Sequence, residues 1–311
     1  MEVDEFTIES GHLAVGDGHE IYFQRWGNPK AMPTFFLHGG PGSGCKDKYK
    51  LAFNPEKHQI IFHDQRGSGE STPFASVDNN TTDDLIADIE KLRIKFNFEK
   101  IQLTGGSWGS FLALAYGVMY PERVHKMLLR GIFTGKKSEI DYIQQGGLSS
   151  HYPEAWQQYI EIVPNENRDK TVEYYLDIFK NGSEEDKQEH VRRWVLLESA
   201  AMSIDDDYEA TKLKTRDYDE TSLALAILEA HYFAANCFKN DDFIHDNVDR
   251  LKNIPIVFVH GRFDHVCPPA TAYKLAAKIG DNCHLHFVPA GHGNDPAQRE
   301  AFRAYAWSFL D

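Results

Sequence analysis

The chain has 311 residues, 41% hydrophobic and 26% charged, enough for one large domain or two with a sizeable core. Lys and Arg number 33 against 47 Asp and Glu, a formal charge of −14, so neither nucleic-acid binding through a basic surface nor docking on an anionic membrane is expected. Twenty Phe, 14 Tyr and 5 Trp disfavour disorder.

The opening MEVDEFTIESG is acidic where a secretory signal would be basic and then apolar, and no run approaches the ~18 apolar residues of a membrane span. Cys45, Cys237, Cys267 and Cys283 form no Cys-x-x-Cys pair and no metal-ligand spacing. They read as free thiols in a reducing compartment, so a cytoplasmic protein is expected.

Alternating pieces in the first 30 residues, such as EIYFQRW (20–26), suit antiparallel strands. Short apolar runs ending in turns follow: TFFLHGG (34–40), QIIFHDQRG (59–67), IQLTGGS (101–107) and KMLLRG (126–131). PIVFVHGRFD (255–264) and HLHFVPAGH (284–292) complete the series near the end. Runs apolar on both faces predict strands of a buried parallel sheet. Between them, Leu85, Ile86, Ile89, Leu92 and Phe96 recur at helical steps, with Thr82 or Asp83 available as N-cap. A second helix is expected after Ser107, stopping before Pro121. This alternation predicts an α/β fold with a mostly parallel central sheet.

Residues 135–251 break the pattern. They are helix-patterned throughout and carry 25 acidic against 13 basic residues. The expectation is a helical cap domain, inserted into a catalytic domain of residues 1–134 and 252–311 and folded over the carboxyl edge of the sheet, where open α/β sheets bind ligands.

The strongest chemical signal is Gly105-Gly106-Ser107-Trp108-Gly109, a Gly-x-Ser-x-Gly turn between a strand and a helix. Such a turn lifts the serine hydroxyl above the sheet at a helix N-terminus, which favours a developing anion. Serine needs a base and an orienting acid. Asp264 and His292 each follow a late strand, and the succession Ser, Asp, His is that of this hydrolase architecture. Asp64 precedes the serine and is assigned to a structural turn. The loop His38-Gly39-Gly40-Pro41-Gly42 can bring a backbone N–H to a substrate oxygen, so Gly40 and Trp108 are the expected oxyanion donors. No Gly-Lys-Ser/Thr follows it, which excludes a phosphate loop, and no Gly-x-Gly-x-x-Gly opens a helix there.

Taken together, HGGPGSG, DQRGSGES, GGSWGSFLALAY, LRGIF, HGRFDHVCP and AGH resemble the proline iminopeptidases of the α/β-hydrolase fold, over nearly the whole chain. The resemblance implies a serine peptidase without metal or cofactor that removes an N-terminal proline from peptides. It implies a catalytic Ser107, Asp264 and His292, and places Glu198 and Glu229 of the cap on the substrate's free amino end. Phe133, Tyr142 and Phe233 match the family's apolar proline pocket, with Cys267 beside it, and Arg130 matches another pocket position. Gly293 stands where the family often has Ser after the catalytic His. Ser43-Gly44-Cys45 follows HGGPG where further glycines are common, and Leu197 precedes Glu198 in place of an aromatic. A broader-specificity aminopeptidase, or an esterase or amide hydrolase of the same fold, is the alternative.

Overall fold

A computed structural model describes residues 4–205, 207–216, 219–293 and 295–310. Eight strands form one sheet: β1 (Thr7–Gly16), β2 (His19–Gly27), β3 (Pro33–Leu37), β4 (Gln59–His63), β5 (Ile101–Ser107), β6 (Val124–Ile132), β7 (Ile256–Gly261) and β8 (Cys283–Val288). Their spatial order is β1-β2-β4-β3-β5-β6-β7-β8. β1 with β2 and β2 with β4 are antiparallel, and every later pairing is parallel. The expected buried runs are thus strands, and the reason is visible in their burial. Every residue of β3, β4 and β7 is buried, because helices cover both faces of the sheet, whereas β8, at the sheet edge, buries only Val288.

Helices α1 (Thr82–Lys95) and α2 (Trp108–Met119) flank β5. The N-cap of α1 is Thr81, one residue before the expected candidates: its hydroxyl accepts from the Asp84 N–H, and the Asp84 carboxylate accepts from the Thr81 N–H. Thr82 turns inward instead and donates to the Cys237 carbonyl at 2.6 Å. Leu85, Ile86, Ile89 and Leu92 form the buried face, and Phe96 packs edge-on against Phe23 of β2.

Between β6 and β7 the described residues hold no strand. They form α3 (Lys137–Gln144), α4 (Pro153–Glu161), α5 (Thr171–Asn181), α6 (Glu184–Ala200), α7 (Tyr208–Lys214), α8 (Glu220–Ala234) and α9 (Phe243–Asp246). Two further helices, α10 (Pro269–Ile279) and α11 (Pro296–Phe309), bracket β8. No helix among the described residues is long and apolar enough to cross a membrane.

The helical segment is anchored to the sheet domain through α8. Tyr232 donates to the Asn80 side chain at 2.6 Å, and its ring packs on Trp108 at 4.5 Å between centroids. Asn80 in turn donates to the Arg66 carbonyl at 3.1 Å, while the Arg66 guanidinium grips Asp88 of α1 with two hydrogen bonds of 2.6 and 2.9 Å. A bidentate pair of this kind holds a planar geometry, so the turn 64–68 has one orientation beneath α8.

Candidate active site

Ser107 ends β5 and starts α2. Its backbone sits at φ 57°, ψ −128°, a conformation that costs a non-glycine residue about 1–3 kcal/mol. The turn is held tightly enough to impose it. A side chain at Gly109 would collide with the Leu37 carbonyl at the end of β3. Ser110 bonds to both sides, donating to the Ser107 carbonyl at 2.7 Å and accepting from the Phe133 N–H at 3.0 Å. Ser107 therefore faces the open edge of the sheet at the positive end of a helix.

Asp264 follows β7 and is 1% exposed. One carboxylate oxygen accepts the N–H groups of Val266 and Cys267, at 3.0 and 2.7 Å. The other accepts from Nδ1 of His292 at 2.8 Å. Burial alone would raise this carboxyl, but the adjoining imidazole and these hydrogen bonds hold it below the ordinary aspartate value. With Nδ1–H directed at Asp264, the basic nitrogen of a neutral His292 is Nε2. Buried His260 supports the same loops: its Nδ1 accepts from the Ile132 N–H at 3.0 Å, leaving Nε2–H to donate to the Cys267 carbonyl at 2.9 Å.

Gly131 lies where His292 and Ser107 approach each other. A Cβ built there would lie 2.9 Å from the His292 ring and 3.6 Å from the Ser107 nitrogen. The imidazole and the elbow thus converge over one glycine at the end of β6, where a side chain would push the ring away.

Gly40 and Trp108 border the same cavity as Ser107. The His38–Gly40 loop lies directly on the elbow: a Cβ at Gly39 would be 3.6 Å from Cβ of Ser107. Gln65 locks the two together. Its side chain accepts from the Trp108 indole at 2.9 Å and donates to the His38 carbonyl at 3.0 Å, while its backbone N–H donates to Nε2 of His38 at 3.0 Å. Asp64 accepts from the N–H groups of Cys45 and Glu70 at 2.6 and 2.9 Å, which matches the turn role expected of it.

The cavity wall carries Phe133, Phe233 and Cys267, with Glu198 from α6 and Glu229 from α8. Glu229 accepts a hydrogen bond from the Trp194 indole at 2.7 Å. Burial pushes both carboxyls up, and the nearby Glu198 charge raises Glu229 further. The Trp194 indole packs against Tyr159, Tyr175 and Phe179 of α4 and α5, and Leu197, which stands before Glu198 in place of an aromatic, is buried.

Two residues expected in the pocket lie off the described cavity wall. Arg130 runs behind the elbow against Gly106 and donates to the His292 carbonyl at 3.1 Å. Tyr142 packs against Gly147, and α3 contributes Ile143 and Gln144 to the wall instead. Helical rotation decides this: residues one step apart point about 100° away from each other. Ile143 and Gln144 had no sequence signal of their own; Gln65, Ser110, Gly131 and Val266 fall within the quoted motifs, but the part each plays emerges only from its contacts in the fold.

A wider groove elsewhere, between Trp26, Leu51 and Trp307, does not include Ser107, Asp264 or His292. All four cysteines are free.

The α/β-hydrolase fold family matches residues 35–294. The chain is 40% identical to a proline iminopeptidase of Xylella fastidiosa (strain 9a5c) over 289 residues, covering 92% of this chain and 91% of that protein. It is 39% identical to the proline iminopeptidase of Arabidopsis thaliana, covering 92% and 76%. Among solved structures, an esterase from Exiguobacterium antarcticum superposes with a TM-score of 0.67 at 18% identity, covering 97% of this chain and 99% of that one, a likeness of fold. Fold, matched segment and sequence identity agree that the chain belongs to the proline iminopeptidase family of α/β hydrolases.

Proposed function

We propose that this chain is a serine aminopeptidase that hydrolyses the bond after an N-terminal proline, with the helical segment 135–251 acting as its cap. The observation that carries the reading is the placement of two carboxyl groups, buried Glu229 and half-buried Glu198, on the same cavity as Ser107. An aminopeptidase has to favour a charged amino end over an internal peptide segment, and a desolvated carboxylate does so through charge-assisted hydrogen bonds. The secondary ammonium of proline has two N–H donors, one for each carboxyl group. Phe133 and Phe233 flank the space for its apolar ring.

In this reading His292, oriented by Asp264, takes the Ser107 proton as the hydroxyl attacks the prolyl carbonyl carbon. The oxyanion is held by the N–H groups of Gly40 and Trp108. His292 then protonates the leaving amine, and water, deprotonated by the same ring, releases proline from the acyl-enzyme. Arg130 serves this chemistry from behind, by holding the His292 carbonyl. The substrates are peptides with an N-terminal proline, and the free thiols suit a reducing, cytoplasmic setting.

The test is a panel of aminoacyl-naphthylamides with p-nitrophenyl acetate, run on wild type and on Glu198→Gln and Glu229→Gln. Preferential prolyl cleavage that collapses in both variants while ester cleavage survives supports the reading. Equal cleavage of alanyl and prolyl substrates would point to a broader aminopeptidase, and indifference to both substitutions to an esterase.

A further inference from the structure

Asp295 stands immediately before α11, where a helix-capping residue belongs, yet among the described residues its side chain makes no capping hydrogen bond. An aspartate at this position ordinarily accepts from the first N–H groups of its helix. Here the carboxylate, 5% exposed, turns the other way. One oxygen accepts from the Gly291 N–H at 2.6 Å, and the other accepts from the Ser203 hydroxyl. Gly291 precedes His292, and Ser203 lies three residues past the end of α6, the helix that carries Glu198. On the far side of His292, the Gly293 N–H donates to the Met202 carbonyl at 2.5 Å.

The fit leaves no room for side chains. A Cβ at Gly291 would lie 3.1 Å from the Met202 oxygen and 3.3 Å from the Asp295 carboxylate, and one at Gly293 would lie 2.8 Å from the Met202 oxygen. The glycine at 293, where relatives often carry serine by the resemblance above, is thus matched to a close approach of the cap.

We propose that Asp295 is a positioning residue for the reaction: it fixes the backbone of the histidine loop by tying it to the segment that follows α6, and so sets the orientation of His292. This rests on the triad and the carboxyl pair proposed above. Because Asp295 acts through His292, its loss changes the orientation of the base while leaving the ammonium contacts in place. A misplacement of the base by about 1 Å is enough for a roughly 100-fold loss.

The experiment compares wild type, Asp295→Ala, Asp295→Asn and Ser203→Ala in turnover of prolyl-naphthylamide and in the rate at which a fluorophosphonate labels Ser107. Asp295→Ala is expected to lose about 100-fold in kcat and a similar factor in labelling, with KM within about threefold. Asparagine keeps an acceptor for Gly291 and is expected to restore both to within about tenfold of wild type. Ser203→Ala removes one anchor and guards against a misfolded alanine variant at 295; a loss of about threefold to tenfold in labelling is expected. Wild-type labelling in both Asp295→Ala and Ser203→Ala, or an effect confined to KM, overturns the proposal. A wild-type protein that is not labelled at Ser107 would instead overturn the triad on which it rests.

Discussion

Glu198 and Glu229 come from different helices, α6 and α8, and line one cavity together with Ser107. Burial disfavours the charged form of both, and the nearby Glu198 charge disfavours ionisation of Glu229 further, so the pair takes up a proton more readily than free glutamates do.

The pair has a pH signature in binding. Its raised affinity for protons means that it loses charge, on acidification, above the ordinary glutamate value of about 4.3. KM for prolyl-naphthylamide is expected to rise as pH falls through that region, while KM for a neutral ester stays level. Glu229→Gln should lower kcat/KM for the prolyl substrate by about 10- to 100-fold, as loss of a charged hydrogen bond of about 1.5–3 kcal/mol requires. Steady-state kinetics from pH 4.5 to 8.5 checks both.

Stability carries the same information with a definite sign. The folded pair binds protons more tightly than the unfolded chain does. Its contribution is therefore full below the unfolded glutamate value and is lost as pH rises through the raised folded values. Glu229→Gln removes that loss. Its Tm is expected to exceed that of wild type at pH 8, with the margin closing towards pH 4, as thermal melts across the range will show.

At the elbow, chemistry and strain separate. Ser107→Ala is expected to lower prolyl turnover by at least about 10⁴-fold while leaving the fold intact. Near-wild-type turnover would refute the nucleophile. Ser107→Gly relieves the positive φ that alanine retains, so it should be more stable than Ser107→Ala by about 1 kcal/mol in denaturant unfolding.

Gln65 joins three loops with buried hydrogen bonds. Gln65→Leu leaves the Trp108 indole and the His38 carbonyl without these partners, at a cost of about 1–3 kcal/mol for each buried group left unsatisfied. Unfolding midpoints should fall accordingly, and kcat should fall with them, because the Gly40 loop and the first turn of α2 lose their common brace.

Cys267 is buried on the cavity wall, and burial pushes its thiol well above the ordinary value. It is a poor nucleophile at neutral pH, so alkylation should be slow and should accelerate as pH rises. Once modified by a bulky reagent, the cavity is blocked. Inhibition that a prolyl ligand slows and that Cys267→Ser abolishes, with the adduct mapped by mass spectrometry, is the expected outcome.

Local pattern was sufficient for much of this. A run such as IVFV, apolar at every position, can be buried on both faces only within a covered sheet. The Gly-x-Ser-x-Gly turn between a strand and a helix announces its own geometry, and the loops after the last two strands carry an aspartate and a histidine. Residues Ser107, Asp264 and His292 could be named because each sits in a turn whose neighbours identify it. Rotation about a helix axis is less legible: whether Tyr142, Ile143 or Gln144 faces the cavity depends on how α3 is seated, and the family spacing pointed one residue away from the wall.

Amino-acid order alone determined the alternation of strands and helices, the strained serine turn and the acidic helical segment, since these follow from periodicity and from residues within a few positions of one another. Tertiary packing alone decided which carboxyls line the cavity, that Arg130 serves the histidine carbonyl, that Gly131 clears space for the ring, and that Asp295 forgoes its own helix to hold a loop. Each of those depends on a contact across many tens of residues or on the direction of a single side chain, and its free energy exists only once burial has removed water as the competing partner.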